Sequence, residues 1–153
     1  MSNSQITDHL AAAVRDGVTR ASGVVGLAGM GLIHLLDLPS KLDETPYIGW
    51  MYIALIAGAI LCAFSLMRTG SDRAWTAAAV LALGAMIGYT LTRTVGLPDA
   101  NGDIGNWLEP LGLASLFVEG ILACLGVYVL GARGWLPSIA RAGRTPLNVR
   151  ITQ

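Results

Sequence analysis

The chain has 153 residues, of which 54% are apolar and only 13% are Asp, Glu, Lys or Arg, and its ten basic and ten acidic residues cancel. Disordered chains need low hydrophobicity and high charge, and nucleic-acid binders need a basic surplus, so the composition excludes both classes. Two cysteines are also too few for a disulfide scaffold. Since soluble domains are about 25% charged, the composition favours an integral membrane protein whose surroundings are the lipid bilayer.

The first 20 residues are polar and precede the first apolar run. Ile6, Leu10 and Val14 recur at helical spacing, which predicts a short amphipathic helix on the membrane surface or against a partner. A signal peptide is not expected here, because the apolar run follows a polar stretch and is long enough to be a span.

Four apolar runs are long enough to cross a membrane, which takes about 20 residues. They cover residues 21–38, 47–67, 75–97 and 108–130. The runs do not alternate with a period of two, so strands are not expected. The connections are short, which makes neighbouring helices antiparallel. The sequence therefore predicts an all-α fold, a four-helix transmembrane bundle over residues 21–135, followed by a basic tail over residues 136–153.

The charged residues divide between the two sides of this bundle. One side has eight of the ten basic residues: Arg15, Arg20, Arg68, Arg73, Arg133, Arg141, Arg144 and Arg150. The other side has six acids: Asp37, Asp43, Glu44, Asp99, Asp103 and Glu109. The positive-inside rule places the basic side and both termini in the cytoplasm. Aromatic residues at span ends, Trp75 among them, are expected in the interfacial belts.

Small residues occur at spacings that allow close helix contact in lipid. Gly26 lies four residues after Ser22 in the first span, and Gly84 and Gly88 form a GxxxG pattern in the third. Two interpretations remain open for these glycines. They pack helices within the bundle, or they form an interface with a second copy or a partner.

Ionisable residues inside the membrane are costly and therefore mark candidate sites. Glu119 lies about 16 Å along the fourth span, near the middle of the membrane, and His34 lies about 6 Å below the acidic surface. Arg93 has a similar depth in the third span. The candidate polar site consists of His34, Asp37, Glu44, Tyr89, Arg93, Glu109 and Glu119.

Several uses of these residues are compatible with the pattern. Arg93 would form ion pairs with Glu109 or Asp37, or His34 would bind a metal ion together with carboxylates. Glu119 would hydrogen-bond a group of span one or span three, or would take part in a proton relay or ligand contact. The sequence has no nucleophile–base pair, phosphate-binding loop or dinucleotide motif, so no enzyme activity is expected.

Two segments at the acidic side carry a family resemblance. The run RTVGLP at residues 93–98, followed by WLEPLG at residues 107–112, resembles a family of small four-span bacterial membrane proteins. The resemblance covers roughly residues 29–120. It implies that the acidic ends of the spans and their loops form one unit in a bacterial inner membrane. Some members have an additional histidine near the position of Lys41, and this chain lacks it.

Two functions are expected on this basis. The first is a non-catalytic accessory subunit of a larger membrane complex, with other membrane subunits or further copies of the chain as partners. The alternative is an outward-facing protein that binds or transports a metal ion, a proton or a small ligand. No cofactor is evident beyond the metal ion of the second hypothesis.

Overall fold

The computed structural model describes residues 2–134 of the chain. Within them lie four α-helices: α1 (Asn3–Glu44), α2 (Pro46–Arg68), α3 (Asp72–Thr94) and α4 (Pro110–Ala132). All four are long and apolar enough to cross a membrane. This confirms the predicted four-helix bundle and makes the chain a multi-pass membrane protein. The predicted basic tail over residues 136–153 lies outside the described residues.

Helix α1 is longer than predicted at both ends. The amphipathic segment is helical, but it is not a separate helix, because α1 continues from Asn3 into the first span without a break. Ser2 begins it with a capping box, in which its hydroxyl accepts from the Gln5 amide and the Gln5 side chain accepts from the Ser2 amide. A single 42-residue helix therefore replaces the two expected elements.

The prediction of a loop between the first two spans, at residues 39–46, is also wrong. Helix α1 runs through Pro39, and only Thr45 separates it from α2. Contacts beyond the proline hold this last turn. Lys41 pairs with Asp103 at 3.3 Å, and Leu42 packs where a side chain on Gly49 would stand. Tertiary contacts thus override the tendency of an internal proline to end a helix.

The helices pack in a ring in which α1 contacts α2 and α4, and α3 contacts α4 and α2. The largest fully buried apolar side chains come from all four helices. They are Leu27, Met30, Leu66, Trp75 and Leu122. The core is therefore shared by the whole bundle.

Trp75 is buried inside the bundle, so its predicted place in an interfacial belt is wrong. Its ring lies against Gly23 of α1, where an added Cβ atom would come within 2.7 Å of the ring. The position of a residue at a span end does not determine the side of the helix on which it lies. Trp75 lies on the face of α3 that also buries Ala78, Ala79 and Ala82.

The predicted packing glycines differ in their surroundings. A Cβ atom on Gly26 would lie 3.5 Å from Leu122, an ordinary packing distance between α1 and α4. Cβ atoms on Gly84 and Gly88 would meet none of the described residues within 4 Å. The interpretation that this GxxxG pattern packs helices within the bundle is therefore wrong. The interpretation that it forms an interface with another chain stays a prediction. The close approach of α3 and α4 occurs instead at Gly126, where a Cβ atom would lie 2.8 Å from that of Ala79.

One arginine ties the helix ends together at the end of the bundle opposite Thr45, which we call the basic end. Arg133 follows α4 and donates to the Gly70 carbonyl at 2.8 Å. It also pairs with Asp72 at 2.9 Å and Asp16 at 3.2 Å. The hydrogen bond from Arg20 and the charges of both arginines hold the pKa of Asp16 below its ordinary value.

Candidate functional site

The polar site is built at the other end of the bundle, which we call the acidic end and define by Thr45 and the loop over residues 95–109. Arg93 in the last turn of α3 is buried there. Its guanidinium lies 2.9 Å from Asp103 and 3.5 Å from Glu109. The predicted pairing with Glu109 is confirmed. Among the described residues Arg93 makes no ion pair with Asp37, and Asp103, its nearest carboxylate, was not predicted.

Asp103 joins the loop to two helices. It accepts a hydrogen bond from Lys41 of α1 at 3.3 Å, in addition to its ion pair with Arg93. Burial by itself would raise the pKa of Asp103, but the hydrogen bonds and charges of Arg93 and Lys41 outweigh it and lower the pKa below its ordinary value. The ionised carboxylate therefore stabilises the folded loop.

This shift predicts a pH dependence of stability. A lowered pKa means that the stabilisation is complete above the ordinary carboxyl pKa of about 4 and is lost as the pH falls through the folded-state value. We expect Asp103→Asn to melt at a lower temperature than wild type at pH 7, by an amount equivalent to about 1 kcal/mol. The gap should close as both proteins are brought below pH about 4. An equal gap at high and low pH would contradict the assignment.

Glu109 has two functions at the start of α4. Its carboxylate oxygens accept from the backbone amides of Leu111 at 3.0 Å and Gly112 at 2.6 Å, which caps the helix. The same carboxylate lies near Arg93. Tyr89 also contacts Arg93, whose guanidinium carbon lies 4.8 Å from the ring centre, while the Tyr89 hydroxyl donates to the carbonyl of Trp107. Glu109 and Tyr89 therefore position Arg93.

Deeper in the bundle, Glu119 faces His34 across the α1–α4 contact. Glu119 is 1% exposed, and its Oε1 accepts from the Ser115 hydroxyl at 2.6 Å and lies 3.8 Å from Nε2 of His34. Within residues 2–134 its Oε2 has no hydrogen-bond partner. His34 Nδ1 lies 2.9 Å from the Met30 carbonyl. Because a carbonyl only accepts, Nδ1 carries the hydrogen and Nε2 points towards Glu119.

The neighbour predicted for Glu119 in span one is confirmed, and the neighbour predicted in span three is wrong. Thr90 donates to the carbonyl of Met86 within its own helix. Ser115 was not predicted, although its position four residues before Glu119 places both on one helix face. Tyr52 was also missed, since its aromatic character and its place near a span end indicate only an interface.

Replacing Glu119 by methionine tests whether its unpartnered oxygen lowers the free energy of unfolding. A buried polar atom without a hydrogen bond costs about 1–3 kcal/mol, so an apolar side chain of similar length should raise the free energy of unfolding by about 1 kcal/mol. Denaturation in mixed micelles measures this change. The matched variant Glu109→Met removes a helix cap and should lower the same quantity by about 1 kcal/mol. A loss of stability in Glu119→Met would show that Oε2 is satisfied.

Tyr52 connects His34 with Asp37. Its ring lies edge-on to the imidazole with 4.7 Å between the centroids, and its hydroxyl donates to Asp37 at 3.2 Å. Within residues 2–134, Asp37 forms no ion pair. Glu44 is bound by Ser40 at 2.9 Å and Lys41 at 3.1 Å and lies at the rim of the site. Among these residues Asp37 is therefore a carboxylate at the acidic end without an ion-pair partner.

A cavity of about 790 Å³ joins these polar groups to the interior of the membrane. Its mouth is at the acidic end, and its lining includes His34, Asp37, Tyr52, Tyr89, Arg93 and Glu109. Its inner part runs between α2 and α3 as far as Cys62, about 24 Å along α2 from Pro46. Gly84 and Gly88 leave room for it. Val80, which lines the cavity, is 61% exposed, so the cavity opens sideways between the two helices.

The predicted metal site lacks a ligand set in the described part of the chain. No three His, Cys, Asp or Glu side chains come close enough to hold a metal ion there. His34 has Glu119 as its nearest carboxylate, and Glu44 is not part of the cavity lining. The two donors that face each other are fewer than the three or four protein ligands usual for zinc.

No protein-family model, curated protein or solved structure matches the chain. The chemistry of the cavity is therefore the basis on which a function is assigned.

Proposed function

We propose that this protein is a non-catalytic bacterial inner-membrane protein that binds a small amphiphilic molecule in the cavity between α2 and α3. The observation that carries the proposal is the composition of the cavity wall. The wall is polar at the acidic end and apolar along the two helices, and it opens to the side. A molecule with a polar end and an apolar body fits both parts.

The volume of the cavity and the energetic cost of burying its polar side chains support this function. The cavity volume of about 790 Å³ lies within the range of about 300–1,000 Å³ typical of small-molecule sites. Ionisable groups in a membrane are expensive and usually serve a site. Here His34 and Arg93 are more than nine-tenths buried and line the cavity. A bundle of the same length with apolar residues at these two positions would avoid the cost of burying them.

The distribution of charge supports an outward-facing mouth. The basic end carries Arg15, Arg20, Arg68, Arg73 and Arg133, and the positive-inside rule assigns such an end to the cytoplasm. The acidic end, with the cavity mouth, then faces away from the cytoplasm. In this orientation a ligand enters from outside or sideways from the bilayer.

Filling the cavity tests the proposal. The probe is a dansyl-labelled undecyl chain that ends in a hydroxyl group, measured by fluorescence with the protein in nanodiscs of zwitterionic lipid. Gly84→Leu places a side chain in the open space between α2 and α3 and should weaken probe binding at least about tenfold, or 1.4 kcal/mol. Gly120→Leu is the control, because a Cβ atom there also meets nothing within 4 Å but lies outside the cavity lining.

The two variants distinguish binding in the cavity from partitioning into lipid. Retained binding in Gly120→Leu and lost binding in Gly84→Leu support the proposal. Equal signals from wild type and Gly84→Leu would mean that the probe only partitions into lipid, and the proposal would be wrong.

A second function, an accessory subunit of a membrane complex, is favoured by the N-terminal part of α1. Helix α1 is much longer than α2, and its Asp16 still pairs with Arg133 at the basic end. About 13 residues (3–15), or about 20 Å, therefore extend beyond this end as an arm. Ile6, Leu10, Val14 and Val18 lie four residues apart along this arm and the turn that follows it, and they are 45–64% exposed. An unpartnered apolar stripe on a projecting helix suits a partner helix from another membrane subunit or from a second copy.

The size of the native assembly tests this second function. The protein would be extracted with its surrounding lipid by a styrene–maleic acid polymer, and its mass measured. Leu10→Glu with Val14→Glu should reduce a larger assembly to the single chain. Ala12→Glu, on the opposite side of the same exposed arm, should leave it intact. A wild-type particle with one chain only would refute the proposal.

A further inference from the structure

We infer that the ligand of this cavity is an amphiphile with a cationic end, an alkylammonium compound by chemical class, and that Asp37 receives its charge. This inference rests on the proposed ligand-binding function. It follows from the way in which the charges at the cavity mouth are already paired.

The charged side chains that line the mouth number three acids and two bases. They are Asp37, Asp103, Glu109, Lys41 and Arg93. Asp103 binds both bases, at 2.9 Å to Arg93 and 3.3 Å to Lys41. Glu109 caps α4 and lies 3.5 Å from Arg93. Among residues 2–134, Asp37 accepts a hydrogen bond from the Tyr52 hydroxyl and forms no ion pair, so the three lining carboxylates exceed the two lining bases by one.

Both bases are already paired with carboxylates. Arg93 is 6% exposed and is enclosed by Asp103, Glu109 and the ring of Tyr89. Lys41 is bound by Glu44 at 3.1 Å as well as by Asp103. An anionic head would have to break these pairs and would meet the negative charge of Asp37. Like charges at close range are unfavourable in a medium of low dielectric constant.

An aromatic ring lies beside Asp37. Tyr52 lines the cavity and donates its hydroxyl hydrogen to Asp37 at 3.2 Å. Its ring also packs against His34, which lies one helical turn before Asp37 and lines the same cavity. An aromatic face favours a cation. Carboxylate and aromatic ring together suit an ammonium group.

The apolar half of the cavity accounts for the rest of the ligand. From the mouth it extends about 24 Å along α2, past Leu55 to Cys62. The opposite wall on α3 includes Val80 and the open space beside Gly84. An alkyl chain anchored at Asp37 would lie in this part and reach the lipid through the sideways opening.

Three probes that differ only in the end group test the inference. Each has the same dansyl-labelled undecyl chain and ends in trimethylammonium, hydroxyl or carboxylate. Binding is measured in nanodiscs of zwitterionic lipid, and the signal from Gly84→Leu is subtracted as partitioning. We expect wild type to bind the ammonium probe at least about tenfold more tightly than the hydroxyl probe, and the carboxylate probe most weakly.

Substitutions then assign the preference to one residue. Asp37→Asn should bind the ammonium and hydroxyl probes with equal affinity, and its remaining binding of the hydroxyl probe shows that the variant folds. Asp43→Asn removes an exposed acid of the same helix that is not part of the lining, and it should leave the preference intact.

Each contrary result has a definite meaning. Equal binding of the three probes, or a preference for carboxylate, would overturn the cationic ligand class and leave the ligand-binding function in place. Absence of binding for all three would overturn the function and the inference together. A preference that persists in Asp37→Asn would overturn the role of Asp37.

Discussion

Trp75→Ala is expected to lower the free energy of unfolding by about 3–5 kcal/mol, the largest effect of any single substitution considered. The ring of Trp75 is fully buried and fills the space opened by Gly23 of α1. Leu66 of α2 lies beside it, so truncation leaves a cavity lined by three helices. Reversible unfolding in mixed micelles of a mild and a denaturing detergent measures the change.

The matched control is Trp50→Ala. Trp50 lies in α2 and is 66% exposed, so its removal should change the free energy of unfolding by less than about 0.5 kcal/mol. Similar losses in the two variants would show that Trp75 is not part of the packed core.

Arg93→Met should lower the free energy of unfolding by about 2 kcal/mol, because it removes a buried cation from Asp103 and Glu109, whose side chains are 29% and 31% exposed. The guanidinium also holds the loop over residues 95–109 through its ion pair with Asp103 at 2.9 Å. We therefore expect faster proteolysis of this loop in the variant. Methionine preserves most of the apolar length of the side chain, so lost packing contributes little.

Arg133→Met provides the comparison at the basic end. Arg133 also pairs with two carboxylates, but its side chain is 32% exposed, and pairs near water contribute only about 1 kcal/mol or less. An equally small effect of Arg93→Met would mean that the acidic end does not depend on its buried cation.

The candidate site was predictable in part, to the extent that membrane depth and helix spacing determine it. Depth placed His34, Arg93 and Glu109 near one surface, and the structure brings them into the lining of one cavity. Asp103 was not predictable as the main partner of Arg93, because it lies in a loop, where no helical period orders the side chains. The pairing of Tyr52 with Asp37 depends on how α2 is rotated against α1, which hydropathy does not describe.

The sequence by itself determined the number of spans, their approximate limits and the separation of charge between the two ends. These properties follow from the transfer of each residue between water and lipid, which depends on the residue and not on its neighbours in space. Only the tertiary structure decided that α1 continues through Pro39, that Trp75 is buried, and that Gly84 and Gly88 border a cavity. Lipid chains are as apolar as leucine side chains, so hydropathy does not distinguish a helix face that contacts lipid from one that contacts protein. Shape and hydrogen bonding between helices make that choice, and they leave between α2 and α3 the space on which the proposed function depends.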